Sequence, residues 1–285
     1  MCNHIIHPAR WEDSPFSRRG FIATGVAAAI CPAVADAAAS VIETDITFAT
    51  PDGMADAVLL RPDGKARWPA VLVWTDILGL RPVFRQLGRR LAAQGYVVLV
   101  PNPYYRERRA PVVGDRFDFN DTAAFEEILG YRKRLTNVHV DRDARAAIAF
   151  LDAQPETDRS RSAGVQGYCM GGDFAFRTAA AMPDRIAAVG SLHGADLVTD
   201  APDSPHRLIH ETRASFLVAI ARDDDRQEPR SKDDLKAAFK AAKRPAKVDV
   251  YSANHGWCVP GSDEYDVVAA ERAWTELSDL YRTIP

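Results

Sequence analysis

The segment Gly167-Tyr168-Cys169-Met170-Gly171-Gly172 sets one cysteine among glycines, directly after the apolar run Ala163–Gly167 and before a helical pattern over Gly172–Met182. Strand, G-x-C-x-G-G turn and helix together make a nucleophile elbow with Cys in place of Ser. Such a turn forces its central residue into a strained conformation and needs glycine where chain segments approach closely. The following helix aims its N-terminus, with its partial positive charge, at the sulfur and so favours a thiolate. The backbone N–H of Met170 faces the same point and is a donor for an oxyanion. A buried structural cysteine is the plain alternative. A dinucleotide loop fits less well, because Gly164-x-x-Gly167 precedes the turn and no G-x-G opens the helix.

A nucleophile needs a base, and the base needs an acid to orient it. In elbow enzymes the chain order is nucleophile, acid, histidine. Downstream of Cys169, the strand pattern Phe216–Ala221 runs into Asp223-Asp224-Asp225, and Val248–Tyr251 runs into Asn254-His255-Gly256-Trp257-Cys258. Both segments follow strand C-termini, where open α/β sheets carry their sites. His255 is the candidate base. Spacing does not choose among the three aspartates, which are also compatible with a solvated loop.

Positioning these groups requires several strands ending side by side, and the chain supplies them. Ile46–Thr50 and Ala57–Arg61 alternate apolar and polar residues around Pro51-Asp52-Gly53, which predicts an N-terminal hairpin. Val71–Trp74, Tyr96–Val100, Ala163–Gly167, Ile186–Leu192 and Phe216–Ala221 are short apolar runs suited to strands buried on both faces, with Val248–Tyr251 as the last strand. Helical patterns lie over Val83–Gln94, Thr122–Leu135, Arg142–Ala153, Gly172–Met182, Ser231–Ala242 and Glu264–Tyr281. This alternation predicts a single α/β domain, a mostly parallel central sheet with helices on both faces. The irregular stretch Pro101–Asn120 is a candidate lid or pocket wall.

The first 39 residues read as an export leader. Ser17-Arg18-Arg19-Gly20-Phe21-Ile22 is a twin-arginine pattern, followed by a short apolar run from Ala23 to Ile30 and A-x-A cleavage sites after Ala35 or Ala39. The run is too short and too rich in Ala and Gly to span a bilayer. Export to the periplasm through the twin-arginine machinery is therefore expected, with no stable membrane anchor after cleavage. Cys2 and Cys31 leave with the leader, so the mature domain keeps only Cys169 and Cys258, too few for a disulfide framework. Cys258, three residues after His255, is a partner for a disulfide that would silence Cys169. The net charge of −3 gives no basic face for nucleic acid.

Other signals read more plainly. His206-x-x-x-His210 has helical metal-ligand spacing but no third ligand in view. His193-Gly194 ends a strand pattern and reads as a core or pocket-lining histidine. Arg106-Glu107-Arg108-Arg109 and Arg132-Lys133-Arg134 read as solvated faces, and Trp74, Trp257 and Tyr168 as packing or pocket-wall aromatics.

With Thr75-Asp76-Ile77-Leu78-Gly79-Leu80 and His255-Gly256, the elbow makes residues 41–282 resemble the dienelactone hydrolases of the α/β-hydrolase fold. The resemblance implies a Cys-Asp-His triad acting on lactones or activated esters, without metal or cofactor. It assigns Cys169 as nucleophile, His255 as base, and Asp224 as acid through the small-x-x-acid turn Ala221-x-x-Asp224. It makes the Ile77 N–H the second oxyanion donor beside that of Met170. Two positions depart from the family pattern. Asp76 stands where the family carries a Glu that holds the resting thiol, and Val259 where it carries an Arg for the substrate carboxylate. Arg106, on the Tyr104-Tyr105-Arg106 loop, is the substitute cation, and Asp76, Arg106, Tyr104 and Trp257 are the candidate substrate-binding residues. The expected activity is a carboxymethylenebutenolidase-type hydrolysis. A broad carboxylesterase or thioesterase, and a non-enzymatic binding or redox protein on the same scaffold, are the competing readings.

Overall fold

The computed structural model describes residues 40–114 and 117–285; the leader, its cleavage points, Cys2 and Cys31 lie outside these described residues. The chain enters with β1 (Val41–Thr50) and β2 (Gly53–Pro62), an antiparallel hairpin. It then alternates β3 (Ala70–Trp74), α1 (Pro82–Ala92), β4 (Val97–Pro101), α2 (Thr122–Arg134), α3 (Asn137–Asp152), β5 (Ala163–Tyr168), α4 (Met170–Ala181) and β6 (Ile186–Leu192). A short α5 (Pro205–Leu208), β7 (Ser215–Ile220), α6 (Arg222–Gln227), α7 (Ser231–Ala242), β8 (Ala246–Val250) and α8 (Val267–Arg282) complete it. The eight strands form one sheet in the order β1-β2-β4-β3-β5-β6-β7-β8. From β4 to β8 every pairing is parallel, and β2 joins β4 antiparallel. No helix among the described residues is long and apolar enough to cross a membrane.

The pleat divides the core into two layers, because successive strand side chains point to opposite faces. Ala70, Leu72, Trp74, Val97 and Leu99 pack on one side with α3, α4 and α7. Val71, Val73, Val98 and Val100 pack on the other with α1 and α8. Uninterrupted apolar runs are therefore what these strands require.

The expected elements are present, with shifts of physical origin. The hairpin is longer than its apolar alternation, because edge strands are held by backbone pairing and their polar residues find partners. Glu43, for instance, pairs with Arg85 of α1 at 2.9 Å. Helix α3 begins at Asn137 because Thr136 and His139 form a reciprocal capping box. The three aspartates after β7 form the first turn of α6, where negative charge suits the helix dipole.

Helix α8 lies close against the sheet where two strands lack side chains. A Cβ on Gly164 would sit 2.7 Å from the Tyr281 ring, and one on Gly190 would sit 2.6 Å from Leu277 Cδ1. Gly164→Ala should therefore cost about 1–3 kcal/mol through overpacking, read as a lowered urea midpoint with unchanged slope; an unshifted midpoint would contradict this packing.

Candidate active site

Cys169 is the single residue between β5 and α4. Its φ of 54° and ψ of −121° place it where side chains rarely sit. The turn is locked from both sides. A Cβ on Gly167 would lie 1.7 Å from the Gly171 carbonyl oxygen; one on Gly171 would lie 2.6 Å from that of Thr75; one on Gly172 would lie 2.6 Å from Gly194 Cα. The Cys169 N–H donates to the Leu192 carbonyl at 3.1 Å, while its own carbonyl accepts from Gly172 and Ala195. The side chain is left partly exposed.

The aspartate triplet divides three tasks. Asp224 meets the His255 ring, with Nδ1 at 2.8 Å from Oδ2 and 3.0 Å from Oδ1. Asp223 accepts the His255 backbone N–H at 2.8 Å. Asp225 pairs with Lys232 at 2.7 Å, away from the histidine. The His255 loop is held further by the Arg222 N–H on the Ala253 carbonyl and by Arg222 Nη2 on Asn254 Oδ1. Gly256 takes a φ of 95°, and a Cβ there would meet Ser262 Oγ at 2.8 Å.

A second histidine joins this cluster. His193 follows β6 with a φ of 40° and is buried. Its Nδ1 lies 3.3 Å from His255 Nε2, with the rings edge to face. One ligand atom each from Cys169, His193 and His255 lies within 4.8 Å of the other two. His193 Nε2 has no hydrogen-bond partner among the described residues. Burial, reinforced by the facing His255, drives the His193 pKa well below the ordinary histidine range. For His255 burial acts in the same direction but is outweighed by Cys169 and the Asp224 carboxylate, which hold its pKa well above that range. This pairing was not legible from spacing, since the two histidines are 62 residues apart. The only signal was a His-Gly step at the C-terminus of a strand.

The two expected oxyanion donors, one on a loop and one on a helix, share a bracing tyrosine. Met170 opens α4, so its N–H has no intrahelical acceptor. The Tyr104 hydroxyl donates to the Ile77 carbonyl at 2.9 Å and lies 3.3 Å from Met170 Sδ, touching both residues. Tyr104 is buried and thus braces the loop. Asp76, expected near substrate, is taken up by an ion pair that sequence reasoning missed. Arg81 grips its carboxylate through two bonds of 2.6 and 2.7 Å, and the Leu78 N–H adds a third at 2.9 Å.

The remaining expectations need correction. Arg106 is not a free cation: it makes two bonds of 2.8 Å to Asp143 and one of 2.6 Å to Asp52, tying the hairpin turn to α3. Trp257 is completely buried and stacks on Tyr251, with ring centroids 4.7 Å apart, so it supports the histidine loop from the core and is no pocket surface. Cys258 and Cys169 are both free thiols, and Cys258 is packed beside Tyr168 and Trp274.

The dienelactone hydrolase family profile matches residues 55–284. "Putative carboxymethylenebutenolidase" of Methylorubrum extorquens is 28% identical over 280 residues, covering 93% of this chain and 92% of that protein. A protein of the same name from Escherichia coli K12 is 28% identical over 224 residues, covering 75% of this chain and 76% of its own. The crystal structure of a "Putative Dienelactone Hydrolase" from Klebsiella pneumoniae superposes with a TM-score of 0.73 at 22% identity, covering 86% of this chain and 99% of that one, and so shares the fold. With a profile match over most of its length, this chain belongs to the dienelactone hydrolase family.

Proposed function

We propose that this protein hydrolyses lactones or activated esters with Cys169 as nucleophile, His255 as base and Asp224 as its orienting acid. The observation that carries the reading is Cys169 at a positive-φ elbow beside a histidine whose other ring nitrogen is 2.8 Å from a carboxylate. His255 Nε2 takes the thiol proton and the sulfur attacks the carbonyl carbon. The N–H groups of Ile77 and Met170 receive the oxyanion; losing one such donor typically costs about 10²–10³ in rate. Collapse expels the leaving oxygen, which is protonated from His255, and leaves an acyl thioester on Cys169. Water then attacks with His255 as base, the thioester C–S bond breaks and the acid leaves.

A thiolate is a better leaving group than an alkoxide, so a plain alkyl ester would return to substrate from the tetrahedral stage. Enol-lactones and aryl esters expel stabilised oxyanions and go forward. Arg81 is paired with Asp76 and Arg106 with Asp143, so neither is free to receive a substrate carboxylate. The proposal retains twin-arginine export to the periplasm, on the strength of Ser17–Ile22 and the small residues after it.

Stopped-flow turnover of a p-nitrophenyl ester should give a burst of one nitrophenolate per protein, abolished in Cys169→Ala, with kcat lowered about 10²–10⁴-fold in His255→Gln. A burst that survives in Cys169→Ala would sink the proposal.

The raised His255 pKa also sets the sign of a stability effect. The folded state holds the proton more tightly than the unfolded one, so the stabilisation is complete below about 6.5 and is lost as pH rises through the folded value. Urea midpoints should fall with rising pH in this window, and Asp224→Asn should flatten the slope. Identical slopes in the two proteins would show that Asp224 does not hold the His255 charge.

A further inference from the structure

We infer that Cys169, His193 and His255 together form a binding site for a thiophilic divalent cation of the zinc type. The donor set is one sulfur and two imidazole nitrogens, the combination such ions select. The geometry fits that coordination. Two imidazoles bound tetrahedrally at about 2.0–2.1 Å have nitrogens about 3.3–3.4 Å apart. His193 Nδ1 and His255 Nε2 are 3.3 Å apart. The three ligand atoms lie within 4.8 Å of one another, so bringing the sulfur to a bond of about 2.3 Å needs a shift on the order of 1 Å.

The surroundings complete the case. Asp224 bonds the remaining nitrogen of His255, the carboxylate–histidine arrangement that orients a metal-bound imidazole and strengthens it as a donor. His193 is buried, its backbone N–H is fixed to the Ala219 carbonyl at 2.8 Å, and its ring lies near those of Tyr168 and Trp257. Its Nδ1 already faces His255 Nε2 across the gap that the ion would fill. Cys169 is partly exposed, which leaves the fourth position to water. Binding forms the S–metal bond, releases to solvent the one proton held between Cys169 and His255, and moves the His193 hydrogen from Nδ1 to Nε2, with no change of oxidation state.

The site stands on geometry and does not need the hydrolase reading. If Cys169 and His255 are the nucleophile and base, the ion occupies both and is a reversible inhibitor, with His193, which has no part in the proposed reaction, as the residue that makes inhibition tight.

The test uses the full-length, reduced, metal-free protein. Zinc is titrated in competition with a chromogenic chelator, and cobalt(II) serves as the spectroscopic probe. The expected result is one zinc per chain and a thiolate-to-cobalt charge-transfer band that disappears in Cys169→Ser, which still carries Cys2, Cys31 and Cys258. His193→Asn, chosen because Asn tolerates positive φ, should weaken zinc by more than the roughly 10–100-fold typical of losing an outer-shell partner such as Asp224. His193→Gln carries the same comparison if the Asn variant does not fold. Unchanged zinc affinity in either folded His193 variant, a band that persists in Cys169→Ser, or no stoichiometric binding would overturn the inference. Stoichiometric binding in a protein without ester turnover would support the metal site while removing the hydrolase reading.

Discussion

The positive φ of Cys169 is the constraint around which the rest of the site is arranged. A non-glycine residue held in a sparsely populated region costs on the order of 1–3 kcal/mol and persists only where its surroundings over-determine it. Here they do so through backbone contacts. Gly167 and Gly171 meet inside the turn, Gly171 lies against the Trp74 and Thr75 carbonyls at the end of β3, and Gly172 lies against Gly194 after β6. The turn is wedged between the C-termini of the two strands that flank β5. Every residue of α4 from Met170 to Ala179 is buried, so the helix has no freedom to relax the strain by moving outward.

That wedge leaves the ionisable groups few options, and most are committed to partners. Asp76 and Arg81 neutralise each other beside the Ile77 peptide, and Arg106 bridges Asp52 and Asp143. Asp223 restrains the histidine backbone while Asp224 restrains the ring. Brace residues such as Tyr104 and Trp257 act through the backbone they support.

Much of this was legible in the chain because a parallel sheet writes itself as apolar runs separated by amphipathic ones. The elbow was legible because only glycine fits the contacts around Cys169, and those glycines stand within five residues of it. Asp224 could be singled out from its neighbours only through the family's turn, since α6 presents three like carboxylates and His255, which Asp223 and Asp224 both meet, comes from a remote segment. Long-range pairings were the illegible part. Arg106 read as an available cation because its partners Asp52 and Asp143 are 54 and 37 residues away, and Arg81 was passed over although it grips the carboxylate five residues before it. His193 read as a core histidine, which its burial matches, but its contact with His255 depends on β6 and β8, which flank β7 in parallel, ending at the same edge of the sheet.

That contact also bears on where one proton sits. Burial keeps His193 neutral, so its ring carries a single hydrogen. On Nε2 the hydrogen would lack an acceptor, and an unsatisfied buried donor costs about 1–3 kcal/mol. On Nδ1 it donates to His255 Nε2, so the neutral pair shares one hydrogen across 3.3 Å. When His255 becomes charged it carries its own hydrogen on Nε2, and two N–H groups cannot face each other across that gap. The Cys169 sulfur lies within 4.8 Å of the same ring and is among the groups that hold the His255 pKa up. A metal ion between the same two nitrogens would take the place of that shared hydrogen and send it to His193 Nε2, so proton sharing and metal binding compete for a single geometry.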